Sequence, residues 1–164
     1  MIAFAAGLLL SATSQDLLPN YADRMLSPSD REAFPPVLFR MWKRFPLRVT
    51  VIDNDRFFSD ARFQCIHRAC SRWQKATRAL AEGRVSFNLS RGRTLAGSDI
   101  VVRLCSNEEL DGYGGYTRID SADRMSIRLS ATRTTGAETA DWLLERVATH
   151  ELGHALGIGG HSPD

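Results

Sequence analysis

The chain has 164 residues, 43% of them hydrophobic, and a formal net charge of +2. This length and composition suit a single domain with a sizeable core, and the sequence contains no repeat or low-complexity tract. The basic residues are scattered along the chain, so the small net charge excludes nucleic acid as a predicted partner.

Residues 1–14 have features of an export signal. The run from Ile2 to Leu10 is apolar and uncharged but too short to span a bilayer, and small residues at positions 12–14 offer a cleavage site. No basic residue precedes the run, and an ordinary buried strand or helix is the alternative. We predict a secreted or extracellular protein, with the periplasm as a further option, and no stable membrane span.

Residues 15–41 are predicted to form an extended leader or pro-segment. The stretch combines polar residues with four prolines, which disfavour regular structure; a short helix is predicted only near residues 37–43. The folded domain is therefore predicted to occupy residues 42–164. The prolines are Pro19, Pro28, Pro35 and Pro36.

The folded domain is predicted to alternate strands with two long helices. Residues 47–52 alternate as a strand does, and apolar residues recur every three or four positions from 57 to 81, which predicts an amphipathic helix. A second helix is predicted at 138–156. Further strands are predicted at 84–89, 99–105, 114–119 and 125–130.

Three cysteines leave two alternatives open. Cys65 and Cys70 lie five residues apart in the predicted helix, hence about 140° apart around its axis, and should not bond to each other. Either Cys105 pairs with one of them, or all three are buried free thiols.

The most informative motif lies at the end of the chain, in His150-Glu151-Leu152-Gly153-His154. Histidines four residues apart share one face of a helix, so both can reach one zinc ion. Glu151 between them suits a general base that does not ligate the metal. Gly157 can end the helix and redirect the chain, so that His161 returns as a third ligand and leaves an open position for water.

This motif resembles the metzincin peptidases, whose signature is H-E-x-x-H-x-x-G-x-x-H. Residues 155–157 and 161–162 are similar to the matrixin branch in particular, as are several earlier segments. The family places its third histidine where this chain has Gly160, and two adjacent glycines can absorb the extra residue before His161. The earlier segments are Trp42, Phe45-Pro46-Leu47-Arg48, Trp73, Ser98-Asp99-Ile100-Val101-Val102 and Gly115-Tyr116-Thr117.

The resemblance implies an α+β fold, described as an α/β/α-like sandwich. Its twisted, mixed, five-stranded sheet would have an antiparallel edge strand, with two long helices and the zinc motif on the second. The edge strand would bind an extended peptide substrate. The candidate residues are Gly114, Gly115, Tyr116, Thr117 and Arg118, and a plain surface strand is the alternative.

The implied activity is a secreted zinc endopeptidase. Zinc held by His150, His154 and His161 would activate water and polarise the peptide carbonyl, while Glu151 passes a proton to the leaving amine. The loop at residues 106–113 has no histidine for the second zinc of many matrixins. Its oxygen-bearing side chains leave calcium as an open alternative: Asn107, Glu108, Glu109 and Asp111.

A non-catalytic alternative follows from one departure. Metzincins carry a methionine-containing turn after the third histidine, and this sequence contains no such turn after His161. The competing hypothesis is a truncated or inactive relative that acts as a binding module. Substrate preference, activation mechanism and oligomeric state are not predicted.

Overall fold

A computed structural model describes residues 42–78 and 83–158. The predicted signal peptide at 1–14, the leader at 15–41 and the predicted ligand His161 all lie outside these residues. Only positions 42 and 43 of the helix predicted near 37–43 are described, and neither is helical. Within the described residues, the predicted order of strands and helices is confirmed.

Two helices and five strands follow one another in the described part of the chain. Strand β1 (Leu47–Ile52) leads to helix α1 (Asp60–Ala76). Strands β2 (Phe87–Gly92) and β3 (Ile100–Cys105) come next. After a short 3₁₀ turn, Glu108–Leu110, the remaining elements are β4 (Gly115–Ser121), β5 (Arg124–Ser130) and helix α2 (Asp141–Ala155).

The five strands form one mixed sheet in the order β2-β1-β3-β5-β4. The pairs β1/β2, β1/β3 and β3/β5 are parallel, whereas β4 is antiparallel to β5. The α+β class, the five-stranded mixed sheet, the antiparallel edge strand and the two long helices are thus confirmed. Of the five strands described, β4 and β2 are the two edges.

The core lies between the sheet and the two helices. Alternate residues of β1, β3 and β5 are buried in one cluster with residues from both helices, so α1 and α2 form one layer against one face of the sheet. This packing fixes where α2 runs relative to β4. The strand members are Leu47, Val49, Val51, Ile100, Val102, Leu104, Met125, Ile127 and Leu129; the helix members include Cys65, Ile66, Ala69, Leu144, Ala148 and Leu152.

Several predicted bounds are wrong, and the starts of three elements differ by three residues, each for a local reason. Helix α1 begins at 60 rather than 57 because the Ser59 side chain caps it by accepting from the Arg62 backbone N–H. Strand β2 begins at 87 rather than 84, since its pairing with β1 starts there. Helix α2 begins at 141 rather than 138 because Glu138 bridges to Thr132.

The three cysteines are free and buried, which agrees with the second alternative. Burial raises the pKa of the Cys70 thiol to about 12 and also raises the pKa of Cys65 and of Cys105. Buried thiols that resist ionisation are poor nucleophiles and poor metal ligands. These cysteines therefore belong to the packing of the core.

Neither described helix has both the length and the apolar character needed to cross a bilayer.

Candidate active-site cleft

Helix α2, which carries the histidine motif, is held by two tryptophans. The Trp73 indole N–H of α1 donates to the Thr149 carbonyl at 2.6 Å, and the Trp42 indole N–H donates to the Ala155 carbonyl at 2.7 Å. A Cβ at Gly153 would lie 2.8 Å from Trp73 Cζ2, so glycine allows the indole to lie directly on the helix backbone. These contacts position the helix that presents His150 and His154.

Gly157 ends α2, as the sequence predicts. It has a φ of 106°, a conformation that glycine adopts without a Cβ penalty. Its N–H donates to the His154 carbonyl at 2.9 Å, and the Ile158 N–H donates to the Gly153 carbonyl at 3.1 Å. This pair of bonds forms a Schellman motif, which turns the chain back across the last turn of the helix.

The two histidine rings converge. His150 Nε2 and His154 Nε2 are 3.0 Å apart, and the ring planes are perpendicular, with centroids 4.6 Å apart. His154 Nδ1 lies 2.6 Å from the Ile158 carbonyl oxygen. Because a carbonyl can only accept, this contact puts a proton on Nδ1, and the Nε2 lone pair then faces His150 Nε2 at hydrogen-bond distance. The turn at Gly157 therefore also fixes the tautomer of His154.

This geometry fits a zinc ion. Zinc–nitrogen bonds of about 2.0–2.1 Å in a tetrahedral arrangement place two ligand nitrogens about 3.3 Å apart, close to the separation seen here. Imidazole is a suitable ligand for zinc. Across residues 42–78 and 83–158, no group of three or more histidine, cysteine or acidic side chains is placed to hold a metal. The described part of the chain thus supplies two candidate ligands, and His161 stays a predicted third.

Glu151 is buried beside the histidines and held from β4. The residue as a whole is only 5% exposed. The Thr117 hydroxyl lies 2.6 Å from Glu151 Oε2 and 3.0 Å from the Glu151 carbonyl oxygen. A Cβ at Gly115 would lie 2.7 Å from Glu151 Cγ and 2.8 Å from Oε1, so only glycine lets β4 approach this closely. The carboxylate is thus packed against the strand and anchored through one oxygen.

The backbone of β4 presents alternate residues to its free edge. The Ser130 N–H donates to the Gly114 carbonyl at 2.8 Å, and the same register pairs Gly115 with Leu129 and Thr117 with Ile127. Hydrogen-bonded and non-hydrogen-bonded pairs alternate along an antiparallel ladder. The backbone groups of Gly115 and Thr117 therefore point away from β5. Two of the five predicted substrate-binding residues thus offer backbone groups at the edge.

A cleft of about 830 Å³ runs between β4 and α2. It brings together four of the predicted substrate residues, Gly114 to Thr117, with both histidines and Glu151. Arg118 does not line it; that side chain pairs with Asp120. The other residues that line the cleft are Tyr113, Trp142, Leu143, Arg146 and Val147.

Sequence reasoning missed these five residues, although part of the pattern was visible. Trp142, Arg146 and His150 are spaced by four, so they share one face of α2. Trp142 is 65% exposed and Tyr113 is 66% exposed, which is unusual for large aromatic side chains. An exposed aromatic residue eight positions before the motif therefore marks the continuation of the cleft.

The loop proposed for calcium is occupied by internal contacts. Glu109 accepts from the Ser106 backbone N–H and forms ion pairs with Arg56 and Arg128, and these partners lower its pKa. The Asn107 side-chain amide donates to the Tyr113 carbonyl. Calcium binding here stays a prediction.

Comparison with known proteins gives no relative: no family model matches the sequence, and no curated protein matches it. The resemblance to the matrixins therefore stays a prediction that depends on the motifs quoted above.

Proposed function

We propose that this cleft is the catalytic site of a secreted, zinc-dependent endopeptidase. One observation carries the proposal: the Nε2 atoms of His150 and His154 converge 3.0 Å apart, with the buried carboxylate of Glu151 on the same helix. That arrangement provides metal ligands and a proton acceptor at the foot of an open cleft.

His150, His154 and His161 would hold the metal. Zinc bound there supplies a Lewis acid that polarises the peptide carbonyl and lowers the pKa of water. Glu151 then serves as the general base: its carboxylate takes a proton from the attacking water and delivers it to the nitrogen of the leaving amine. Glu151 lines the cleft, so its carboxylate would lie beside a peptide bound there.

The free edge of β4 suits an extended peptide. The outward N–H and C=O groups of Gly115 and Thr117 can pair with a substrate strand, which would lie along the cleft. Such pairing uses only main-chain atoms, so it fits substrates of varied sequence. The aromatic side chains of Tyr113 and Trp142 add apolar surface beside it.

The test is zinc-dependent hydrolysis of a fluorogenic peptide library by the complete protein. We expect turnover that a chelator abolishes and that added zinc restores. Glu151→Gln keeps an oxygen that can accept from Thr117 but cannot take a proton, so kcat should fall by about 10²- to 10⁴-fold with zinc retained.

Two outcomes would contradict the proposal. Loss of zinc together with activity in Glu151→Gln would show that Glu151 has been given the wrong role. Zinc binding and peptide binding with no turnover in the unaltered protein would favour the non-catalytic binding module.

A further inference from the structure

Thr117 lies between the proposed peptide-binding edge and the proposed general base. Its backbone N–H and C=O face the free edge of β4, because its pair with Ile127 is non-hydrogen-bonded. Its side chain faces α2, where the hydroxyl reaches Glu151. One residue therefore meets the peptide through its main chain and the proposed general base through its side chain.

The hydroxyl makes the two oxygens of Glu151 unequal. Oε2 accepts from Thr117 at 2.6 Å, a short bond of the kind that a charged acceptor makes. Oε1 accepts no hydrogen bond from the described residues, and a Cβ at Gly115 would lie 2.8 Å from it. Anchoring Oε2 leaves Oε1 as the oxygen that can take a proton.

The single proton of the Thr117 hydroxyl is shared between two acceptors of Glu151. The same hydroxyl lies 3.0 Å from the Glu151 main-chain carbonyl, so it contacts both the backbone and the carboxylate of one residue. Movement of β4 relative to α2 at this point would therefore move the carboxylate.

We propose that Thr117 is a positioning residue that links peptide docking on β4 to the orientation of the Glu151 carboxylate. The inference rests on the proposed function, since it assigns Glu151 Oε1 as the proton acceptor. A peptide paired with the Thr117 backbone would fix the position of β4. The hydrogen bond from the Thr117 hydroxyl would then fix the position of Glu151 Oε2. Substrate binding thereby completes the alignment of the base.

The experiment compares Thr117→Val with Thr117→Ser in the zinc-loaded protein. Valine keeps the β-branched shape and the backbone donor but removes the hydroxyl, whereas serine keeps the hydroxyl. We expect Thr117→Val to lower kcat by about 10- to 100-fold, which is the loss expected for one hydrogen bond to a charged group. KM and zinc content should be unchanged, and Thr117→Ser should restore most of kcat.

Thr50→Val is the matched control. Thr50 is a strand threonine on β1 whose hydroxyl accepts from Ser98 at 2.7 Å, away from the cleft. The same loss of a hydroxyl there should leave kcat unaltered. Full kcat in Thr117→Val, or a failure of Thr117→Ser to restore it, would overturn the positioning role.

A second measurement separates this inference from the proposed function. In protein labelled at the glutamate carboxyl carbons, Glu151→Gln assigns the Glu151 resonance. Added peptide should shift that resonance in the unaltered protein and much less in Thr117→Val. If no protein hydrolyses peptide but this difference is seen, the coupling stands and the peptidase proposal fails; equal shifts in both proteins would disprove the coupling.

Discussion

The two edges of the sheet carry similar residues in different surroundings. Strand β4 has Thr117 and Gly115; strand β2 has Ser90 and Gly92. The Ser90 hydroxyl reaches only the neighbouring strand, with 3.4 Å to the Val49 carbonyl, whereas the Thr117 hydroxyl reaches Glu151. An edge with free backbone groups is therefore not sufficient for a site. Helix α2, beside β4, provides the candidate ligands and the carboxylate.

The edges also differ in their exposed apolar side chains. Both strands carry charged residues, which discourage pairing with another strand: Arg91 of β2 pairs with Asp60, and Arg118 of β4 pairs with Asp120. On β4, however, Tyr116 and Ile119 are about half exposed, whereas the apolar residues of β2 are partly buried. Variants at the two edges test whether this difference matters for peptide binding.

The largest expected effect is on zinc affinity. If His161 is the third ligand, His161→Ala should weaken zinc binding by more than the 10- to 100-fold typical of groups one shell further out. Deleting Gly160 restores the family spacing and should preserve affinity. His67→Ala, on an exposed part of α1, is the control and should bind zinc normally. Full affinity in His161→Ala would leave water, or another ligand, in the third place.

Gly115→Ala should damage the cleft edge while Gly92→Ala spares the opposite one. The new Cβ would meet Val147 Cγ1 and Glu151 Cγ at 2.7 Å, an overlap that costs about 1–3 kcal/mol in the free energy of unfolding and displaces the proposed base. At Gly92 the nearest atom is 3.6 Å away, an ordinary contact. Denaturant unfolding and peptide turnover, measured on both variants, test this; equal effects would refute the difference between the edges.

Acid should weaken the sheet away from both edges. The Arg48 side chain, followed by its backbone N–H, holds the pKa of Asp99 at about 2, below the ordinary aspartate value of 3.8. A carboxylate with a depressed pKa stabilises the fold above its unfolded pKa, so this stability is present above about pH 4 and lost as pH falls towards 2. The loss is at most about 2 kcal/mol. In metal-free protein, unfolding of Asp99→Asn should lack this part of the pH dependence.

The rise in KM for Thr117→Pro should be the smallest of the four expected effects. Proline removes one outward backbone donor, so KM should rise by about fivefold, and kcat should also fall because the hydroxyl is lost. Ile119→Pro is the matched control on the same edge: its backbone also points outward, but the residue does not line the cleft. An equal rise in KM for both variants would place the peptide elsewhere.

The order of the elements was predictable because each strand and helix has its own periodicity. The strand at Leu47–Ile52 was predicted to the residue, since alternating apolar residues there are buried on one face. The bounds of α1 and β2 were not, because a single cap at Ser59 and the pairing of Leu47 with Phe87 fix them. Such choices depend on partners distant in sequence.

The candidate site was predictable along α2 but not across the cleft. The spacing of His150 and His154 fixes a shared helix face, so their convergence follows from local geometry. The contact between Thr117 and Glu151 joins residues 34 positions apart and depends on how closely β4 approaches the helix. Thr117 was singled out for its backbone, and the role of its side chain was not foreseen.

The distribution of the three tryptophans gives the protein an intrinsic optical reporter. Trp42 and Trp73 each donate an indole N–H to α2, so their emission reports the folded state of that helix. Trp142 lies exposed at the cleft, where a docked ligand would cover it. Occupancy of the cleft should therefore shift the fluorescence of one indole to shorter wavelength. Unfolding should shift the other two to longer wavelength, so the direction of the spectral change distinguishes the two events.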